Sequence, residues 1–318
     1  MNGYAPSSPR VVLELATLVV ATIACGLALT RRHLPGGRIA AWVALLAAVF
    51  TAERLTREEP GGLRMLAICA ALLFGFKAVV GTVHLATGAA PLSVSRWLGF
   101  ALLWPGMSPA VFAGSRRADR DGAALVLRGL LRLATGSLLV LLARLAWVGT
   151  ARLEVAAPLL LVGLSLALHF GLFTLSAGLW RLWGISCAVP FQAPLAAKSL
   201  SDFWAHRWNR PFSELVQLTI YRPVAALSGR ATALFSGFLL SGILHEVAIS
   251  VPARAGYGRP LAYFALQGAL VLLEGRIGGK TSPLRGRLRT LLGFTLPLPL
   301  LLIPEFLRAA IWPLIGID

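Results

Sequence analysis

The sequence predicts an all-α, polytopic transmembrane helix bundle, and three observations carry this prediction. The 318 residues are 57% hydrophobic and only 14% charged, and their mean hydropathy is +0.75. Soluble domains carry about 25% charged residues, and disordered chains have the opposite bias, so both classes are excluded. The apolar residues form runs of about 20, which is the length a helix needs to cross the hydrocarbon core. Because no soluble stretch between these runs could form a second domain, residues 1–318 are predicted to form one integral-membrane domain.

Eight of the apolar runs are predicted to be spans. They cover residues 11–29, 39–52, 65–87, 123–149, 155–180, 231–251, 260–277 and 288–312. Basic residues follow the first run rather than precede it, which favours a span over a cleavable signal peptide. The short run 39–52 can span because Arg38 and Glu53 at its ends can reach the head groups. The runs 92–106 and 212–227 are broken by proline and polar residues and are predicted to be interfacial or re-entrant.

The charge balance indicates a membrane surface rather than nucleic acid. Lys and Arg number 30 against 13 Asp and Glu, a net charge of +17. The basic residues are scattered between apolar runs, which favours loops that face anionic lipid head groups. With both termini outside the cell membrane, the inner loops hold 18 basic residues and the outer segments 8. This bias predicts that the longest loop region, residues 181–230, lies on the cytoplasmic side.

The three cysteines, Cys25, Cys69 and Cys187, all lie in apolar stretches. Their odd number and their spacing indicate neither a disulfide framework nor a zinc site. We therefore expect them to be buried and unreactive.

Ionisable side chains within apolar runs are candidates for function because the bilayer disfavours them. They are Lys77, His84, Arg128, Arg132, Arg144, His169, His245, Glu246 and Glu274. Arg128 and Arg132 are one helical turn apart near a predicted cytoplasmic end, so they are interpreted as reaching the head groups.

His245 has the most distinctive surroundings of this set. It lies in Ser241-Gly242-Ile243-Leu244-His245-Glu246. Ser241 is four residues earlier and therefore on the same helix face. The small residues near it would let a neighbouring helix or a substrate approach the imidazole. Glu246 lies about 100° round the helix and need not share this pocket.

Residues 199–211 form a second polar and aromatic cluster. We expect a helix that is capped by Ser201 or Asp202 and ends before Pro211. Such a helix has a polar stripe of Asp202, His206 and Asn209, an aromatic stripe of Trp204 and Trp208, and a basic edge of Arg207 and Arg210. On its own this pattern is typical of an interfacial amphipathic helix. The polar stripe lacks a further ligand nearby, so no metal site is predicted.

Together, the two clusters resemble the wax synthase branch of the membrane-bound O-acyltransferase superfamily. The matching residues are Ser199-Leu200-Ser201-Asp202-Phe203-Trp204, Arg207-Trp208-Asn209, Ser241-Gly242 and His245-Glu246. Supporting matches are Trp104-Pro105-Gly106-Met107 and Phe191-Gln192-Ala193-Pro194. Asn209 and His245 are 36 positions apart, which fits the family pattern. The resemblance is sharpest over about residues 180–255.

The resemblance implies transfer of an acyl group from acyl-CoA to the hydroxyl of a hydrophobic alcohol. His245 would be the general base, since imidazole suits proton transfer near neutral pH. Asn209 would supply an amide that either stabilises the oxyanion or orients the acyl donor. The expected substrate-binding residues are Trp204, Trp208, Arg207, Arg210 and Ser241. Lys198, Arg207, Arg210 and Arg222 either contact the CoA phosphates or only reflect membrane topology. No bound cofactor is implied beyond acyl-CoA as co-substrate.

Two alternatives remain open at this point. One is transfer of a short acyl group, such as acetyl, to a polysaccharide or metabolite. The other is a membrane transporter or lipid-binding protein that uses His169, Lys77 and His245 as a polar pathway. The second alternative lacks an inverted pair of spans broken by proline or glycine.

Overall fold

The computed structural model of the protein describes residues 3–114, 121–277 and 282–317, and every regular element within these ranges is helical. The prediction of an all-α bundle is confirmed. The helices are α1 (Pro9–Leu29), α2 (Gly37–Leu55), α3 (Gly61–Ala86), α4 (Val94–Leu102), α5 (Ala110–Ala113), α6 (Gly122–Thr150), α7 (Leu153–Leu182), α8 (200–207), α9 (Arg210–Ala253), α10 (Arg259–Ile277), α11 (Pro283–Leu300) and α12 (Pro304–Ile315).

All eight predicted spans coincide with helices. In the described ranges, five helices are long and apolar enough to cross a membrane, namely α1, α3, α6, α7 and α9. Helices α11 and α12 are bent by 72° relative to each other and make a sixth span if the pair is counted as one. The protein is therefore an integral membrane protein. Helices α2 and α10 are not both long enough and apolar enough to be counted in the same way, so the number of eight membrane spans stays a prediction. The orientation also stays a prediction, and four residues counted for it, Arg116, Arg117, Arg120 and Lys280, lie outside the described residues.

Helices α6 and α7 pack closely because glycines lie between them. A Cβ atom placed on Gly136 would lie 2.4 Å from the backbone nitrogen of Ala167. A Cβ atom on Gly171 would lie 2.7 Å from the backbone nitrogen of Leu133. Small residues of this kind let membrane helices meet backbone to backbone. The close contact brings the basic face of α6 beside the second half of α7, where Arg132 Nη1 hydrogen-bonds Thr174 Oγ1 at 3.5 Å.

The buried Lys77 holds a non-helical segment inside the bundle. Its side chain is fully buried on α3, and Nζ donates to the carbonyl oxygens of Trp104, at 2.7 Å, and Gly106. The ammonium also lies 4.0 Å from the centre of the Phe100 ring. Residues 92–106 thus contain only the short helix α4 followed by residues without regular structure, and Trp97, Trp104 and Gly106 among them are buried. This burial is what a re-entrant segment requires, since its backbone polar groups need partners.

Helix α9 reverses direction at Gly229. This residue has φ 83° and ψ 168°, a conformation outside the helical region that glycine adopts without strain. In one straight helix Val216 and Gly237 would lie about 31 Å apart. In the structure, a Cβ atom on Gly237 would come within 2.6 Å of Val216 Cγ1. The predicted re-entrant run 212–227 and the predicted span 231–251 are therefore the two arms of a helical hairpin.

The expectation that all three cysteines are buried is wrong for two of them. Cys25 and Cys69 are exposed on the outer faces of α1 and α3, while Cys187 is buried. The faces of a membrane helix that point away from the bundle are as apolar as its core, so apolar surroundings in the sequence do not distinguish the two. Burial raises the pKa of the Cys187 thiol to about 12, so this cysteine is protonated and unreactive at neutral pH.

Candidate active site

The chain breaks its helix at Trp208 and Asn209, so the predicted single helix up to Pro211 is wrong. Trp208 is extended, with φ −104° and ψ 124°, and Asn209 is left-handed, with φ 45° and ψ 54°. Pro211 lies in the first turn of α9 rather than after a helix end. A proline there loses no hydrogen bond because the first helical N–H groups have no partner within the helix. The N-cap of α8 is Ser199, whose Oγ accepts the Asp202 N–H at 2.9 Å, rather than Ser201 or Asp202.

The polar stripe predicted for this helix does not form. Asp202 accepts the Arg207 Nε–H at 2.8 Å and the Lys198 backbone N–H at 3.2 Å. Partial burial raises the pKa of Asp202, but these two hydrogen bonds outweigh it and leave the pKa below its ordinary value. His206 is 76% exposed and lies 3.9 Å from Asp202. Because the left-handed turn separates them from Asn209, Asp202 and His206 do not share its surroundings.

A cavity of about 220 Å³ lies between α8, the two arms of α9, and α10. It is lined by five of the seven residues that the sequence predicted for the site, namely His245, Asn209, Trp204, Trp208 and Ser241. Its other polar lining residues are Ser201, Ser213, Gln217 and Tyr221, and its apolar walls include Phe212, Val216, Phe238, Phe264 and Val271. The two remaining predicted residues, Arg207 and Arg210, are not part of this lining.

The geometry of His245 determines which ring nitrogen is available. Nδ1 lies 2.7 Å from the carbonyl oxygen of Ser241. A carbonyl oxygen can only accept, so Nδ1 carries a hydrogen, and in the neutral imidazole Nε2 is then the nitrogen with the lone pair. The ring packs against Phe264, with ring centroids 4.3 Å apart. Glu246 accepts the backbone N–H of Leu261 at 2.9 Å and does not line the cavity, as the helical spacing predicted. In its neutral form, His245 can therefore act as a base through Nε2.

The backbone of Asn209 begins helix α9, and its side chain is available to bind a ligand in the cavity. Its carbonyl oxygen accepts the N–H groups of Phe212, at 2.9 Å, and Ser213, at 3.2 Å, and so begins α9. Asparagine is one of the few residues besides glycine that visit the left-handed region. Its side-chain amide faces the cavity and has no hydrogen-bond partner in the part of the chain that the structure describes. An amide placed in this way can donate to a bound carbonyl or accept from a bound group.

The segment that precedes the site holds this turn in place. The backbone N–H of Gln192 donates to Arg207 O at 2.8 Å, and that of Arg210 donates to Pro190 O at 3.0 Å. The Phe191 ring packs edge-on against Trp208, with centroids 5.0 Å apart. These contacts give a physical reason why the Phe191-Gln192-Ala193-Pro194 match accompanies the Asn209 match.

The fully buried Gln267 fixes the orientation of Trp204 and was not predicted from the sequence. Its Oε1 accepts the Trp204 Nε1–H at 3.1 Å, and its Nε2 donates to Gly293 O at 2.9 Å. The available signal was an uncharged amide within the apolar run 260–277, because such a group also needs partners inside a membrane.

The structure does not assemble the polar pathway of the transporter alternative. His169 packs against Phe191, with ring centroids 4.9 Å apart, and Lys77 lies in the core beneath α4. Among the described residues, neither of these lines the cavity of His245.

Comparison with known proteins agrees with this geometry. Residues 188–266 match the model of the membrane bound O-acyl transferase family. Over this segment the chain is similar to that family. The segment contains both Asn209 and His245 and nearly all of the cavity lining. The resemblance predicted from the sequence is thereby confirmed.

The similar curated proteins are plant acyltransferases. The chain is 38% identical over 70 residues to the probable long-chain-alcohol O-fatty-acyltransferase 6 of Arabidopsis thaliana, and the aligned segment is 20% of each of the two chains. It is 34% identical over 103 residues to the long-chain-alcohol O-fatty-acyltransferase of Simmondsia chinensis, or 29% of this chain and 28% of that one. It is 29% identical over 101 residues to the acyl-CoA–sterol O-acyltransferase 1 of Arabidopsis thaliana, or 30% and 29%. The chain thus spans between about a fifth and three tenths of the length of these relatives.

Proposed function

We propose that the protein is a membrane-bound O-acyltransferase that transfers an acyl group from acyl-CoA to the hydroxyl of a hydrophobic alcohol, as in wax ester synthesis. One observation carries the proposal: His245, whose Nδ1 is held by the Ser241 carbonyl so that Nε2 is the available nitrogen, and Asn209 line the same apolar cavity. The similarity to long-chain-alcohol and sterol acyltransferases supports the same reaction.

The residues of the cavity account for each step of the transfer. Nε2 of His245 removes the proton of the alcohol as its oxygen attacks the thioester carbonyl, forming the new C–O bond. The carbonyl oxygen becomes an oxyanion, to which the Asn209 amide donates a hydrogen bond. The C–S bond then breaks, and the proton held by His245 passes to the departing CoA sulfur. Acyl-CoA is a co-substrate, and the proposed reaction uses no bound cofactor.

The walls of the cavity favour an aliphatic acceptor over a sugar. Phe212, Val216, Phe238, Phe264 and Val271 offer apolar surface, which suits hydrocarbon and excludes water that would hydrolyse the thioester. Transfer of acetyl to a polysaccharide would require more polar groups for the acceptor hydroxyls. We also propose, from the 18-to-8 distribution of basic residues, that both termini lie outside the cell membrane and that the site opens toward the cytoplasm.

The test compares three proteins at matched expression in membranes: wild type, His245→Ala, and His206→Ala as a control at an exposed histidine outside the cavity. Each receives a long-chain alcohol with labelled long-chain acyl-CoA or, in a parallel series, labelled acetyl-CoA, and the esters are separated and counted. General-base catalysis is worth about 10²–10⁴-fold, so we expect His245→Ala to lose at least about 100-fold while the control keeps full turnover. Undiminished turnover in His245→Ala would refute the assignment. Ester formed with acetyl-CoA but not with long-chain donors would instead favour the short-chain alternative.

A further inference from the structure

A second cavity, of about 460 Å³, lies beside the candidate active site and is strongly basic. Four arginines line it: Arg128 and Arg132 from α6, Arg181 from α7, and Arg207 from α8. Asp121 is the one carboxylate among its described lining residues. From the sequence, Arg128 and Arg132 are interpreted as reaching the head groups, and Arg207 is expected to bind substrate because of the family resemblance. The structure brings all of them to one cavity.

Neighbouring groups form hydrogen bonds with the arginine side chains, but the charges of Arg128 and Arg132 are not paired with a carboxylate among the described residues. Arg207 is paired with Asp202 and also donates to Ala193 O at 3.3 Å. Arg128 Nε donates to Ala124 O at 3.3 Å, and Arg132 Nη1 to Thr174 Oγ1 at 3.5 Å. Within the ranges that the structure describes, Arg128 and Arg132 have no carboxylate partner. Like charges that converge in a partly enclosed cavity repel each other, so a bound anion would stabilise the arrangement.

The chemistry of the lining indicates which anion. Guanidinium groups bind phosphate oxygens through paired hydrogen bonds. Basic pockets between membrane helices are a known form of site for phosphorylated head groups. Leu125 and Val189 add apolar surface to the same cavity, which suits a ligand that also carries hydrocarbon.

The position of the cavity relates it to the reaction. Phe191 lines the arginine cavity, and Trp208 lines the cavity of His245. The two rings contact each other edge-on at 5.0 Å, so they form a shared partition between the cavities. A phosphate group bound among the arginines would therefore be separated from the candidate active site only by the rings of Phe191 and Trp208.

We infer that the arginine cavity binds the phosphate groups of an amphiphile. Two sources carry this chemistry. One is the CoA part of the acyl donor, an assignment that rests on the proposed function. The other is an anionic phospholipid whose head group would anchor the region next to the site.

The experiment measures binding rather than turnover, so it is separate from the test of the proposed function. The full-length protein in phosphatidylcholine nanodiscs is titrated with free CoA by calorimetry. In a parallel series the nanodiscs contain phosphatidic acid, and retained lipid is measured by native mass spectrometry. The variant is Arg128→Gln with Arg132→Gln. The matched control is Arg285→Gln with Arg289→Gln, which removes two exposed arginines at the same spacing on α11, outside this cavity.

Each lost charge-assisted contact weakens binding by about tenfold or more, so we expect the double variant to bind about 100-fold more weakly and the control to be unchanged. If the double variant loses affinity for CoA, the phosphate groups bound by the cavity are those of the acyl donor. If it retains less phosphatidic acid while its affinity for CoA is unchanged, they are those of the lipid. The Arg128→Lys with Arg132→Lys variant keeps the charge, and we expect it to recover part of the affinity, which separates charge from misfolding. If neither ligand binds the double variant more weakly than the control, the inference is wrong. His245→Ala should bind both ligands normally, so its loss of turnover would not affect this result.

Discussion

The left-handed conformation of Asn209 allows its side-chain chemistry to be separated from its backbone role. Three substitutions do this. Asn209→Gly removes the amide and keeps a residue that adopts φ 45° without strain. Asn209→Ala removes the amide but keeps a Cβ atom, so it disfavours the same conformation without the local hydrogen bonding that lets asparagine adopt it. Asn209→Asp keeps the shape and the acceptor oxygens but has no N–H groups to donate.

The expected magnitudes follow from these differences. Loss of one oxyanion donor lowers kcat by about 10²–10³-fold, so Asn209→Gly should fall by that factor. Asn209→Ala should fall as far and should also lose about 1 kcal/mol of folding stability relative to Asn209→Gly, since a left-handed residue with a Cβ atom costs about 1–2 kcal/mol. If the amide acts as a donor, Asn209→Asp should be as inactive as Asn209→Gly.

The assay is ester formation at saturating acyl-CoA and alcohol, together with thermal unfolding of each purified variant in detergent. A variant Asn209→Asp that keeps most of the turnover while Asn209→Gly loses it would assign the amide to accepting a hydrogen bond, and so to orienting the donor. Turnover of Asn209→Gly within about threefold of wild type would refute any role of this side chain in the chemistry.

Two further predictions concern stability. Lys77→Met should lower the free energy of unfolding by about 2–5 kcal/mol, because two buried carbonyl oxygens lose their donor, whereas Lys198→Met at an exposed lysine should leave the Tm unchanged. The Arg207–Asp202 pair lowers the pKa of Asp202 in the folded state. The pair therefore stabilises the folded protein fully above the ordinary carboxyl pKa of about 3.9, and this stabilisation is lost as the pH falls through the folded-state pKa. The Tm difference between wild type and Asp202→Asn should therefore be constant above about pH 5 and shrink in more acidic buffer; a difference that stays constant down to pH 3 would contradict this reasoning.

The helices could be predicted from the sequence because hydrophobicity alone determines where a membrane helix forms. The boundary between the runs 212–227 and 231–251 was also placed correctly, since Ser228-Gly229-Arg230 interrupts the apolar pattern. The exposure of Cys25 and Cys69 could not be predicted. In a bilayer the outer face of a helix is as apolar as its inner face, so hydropathy does not show which way a residue points.

Five of the seven residues predicted for the site line one cavity, their roles stay a prediction, and the geometry of the site was not predicted. His245 and Ser241 could be named because polar groups stand out in an apolar run, whereas Asn209 was assigned through the resemblance to the family. The left-handed turn at Asn209 was missed, because the proline rule located the helix end at Pro211 and asparagine is compatible with either conformation. Arg128 and Arg132 were judged by their own helix alone. Their contact with residues about 50 to 80 positions further along the chain depends on tertiary packing, which no local pattern encodes.

The spacing of Asn209 and His245 has a structural explanation. Along one straight helix, 36 residues extend over about 54 Å, and the two side chains could not line one cavity. Gly229 divides the interval into arms of 20 and 16 residues, or about 30 Å and 24 Å, which run back alongside each other. The near equality of the two arms returns His245 to the level of Asn209. The conformation of Gly229, rather than either functional residue, is thus what converts a motif spread along the sequence into a single site.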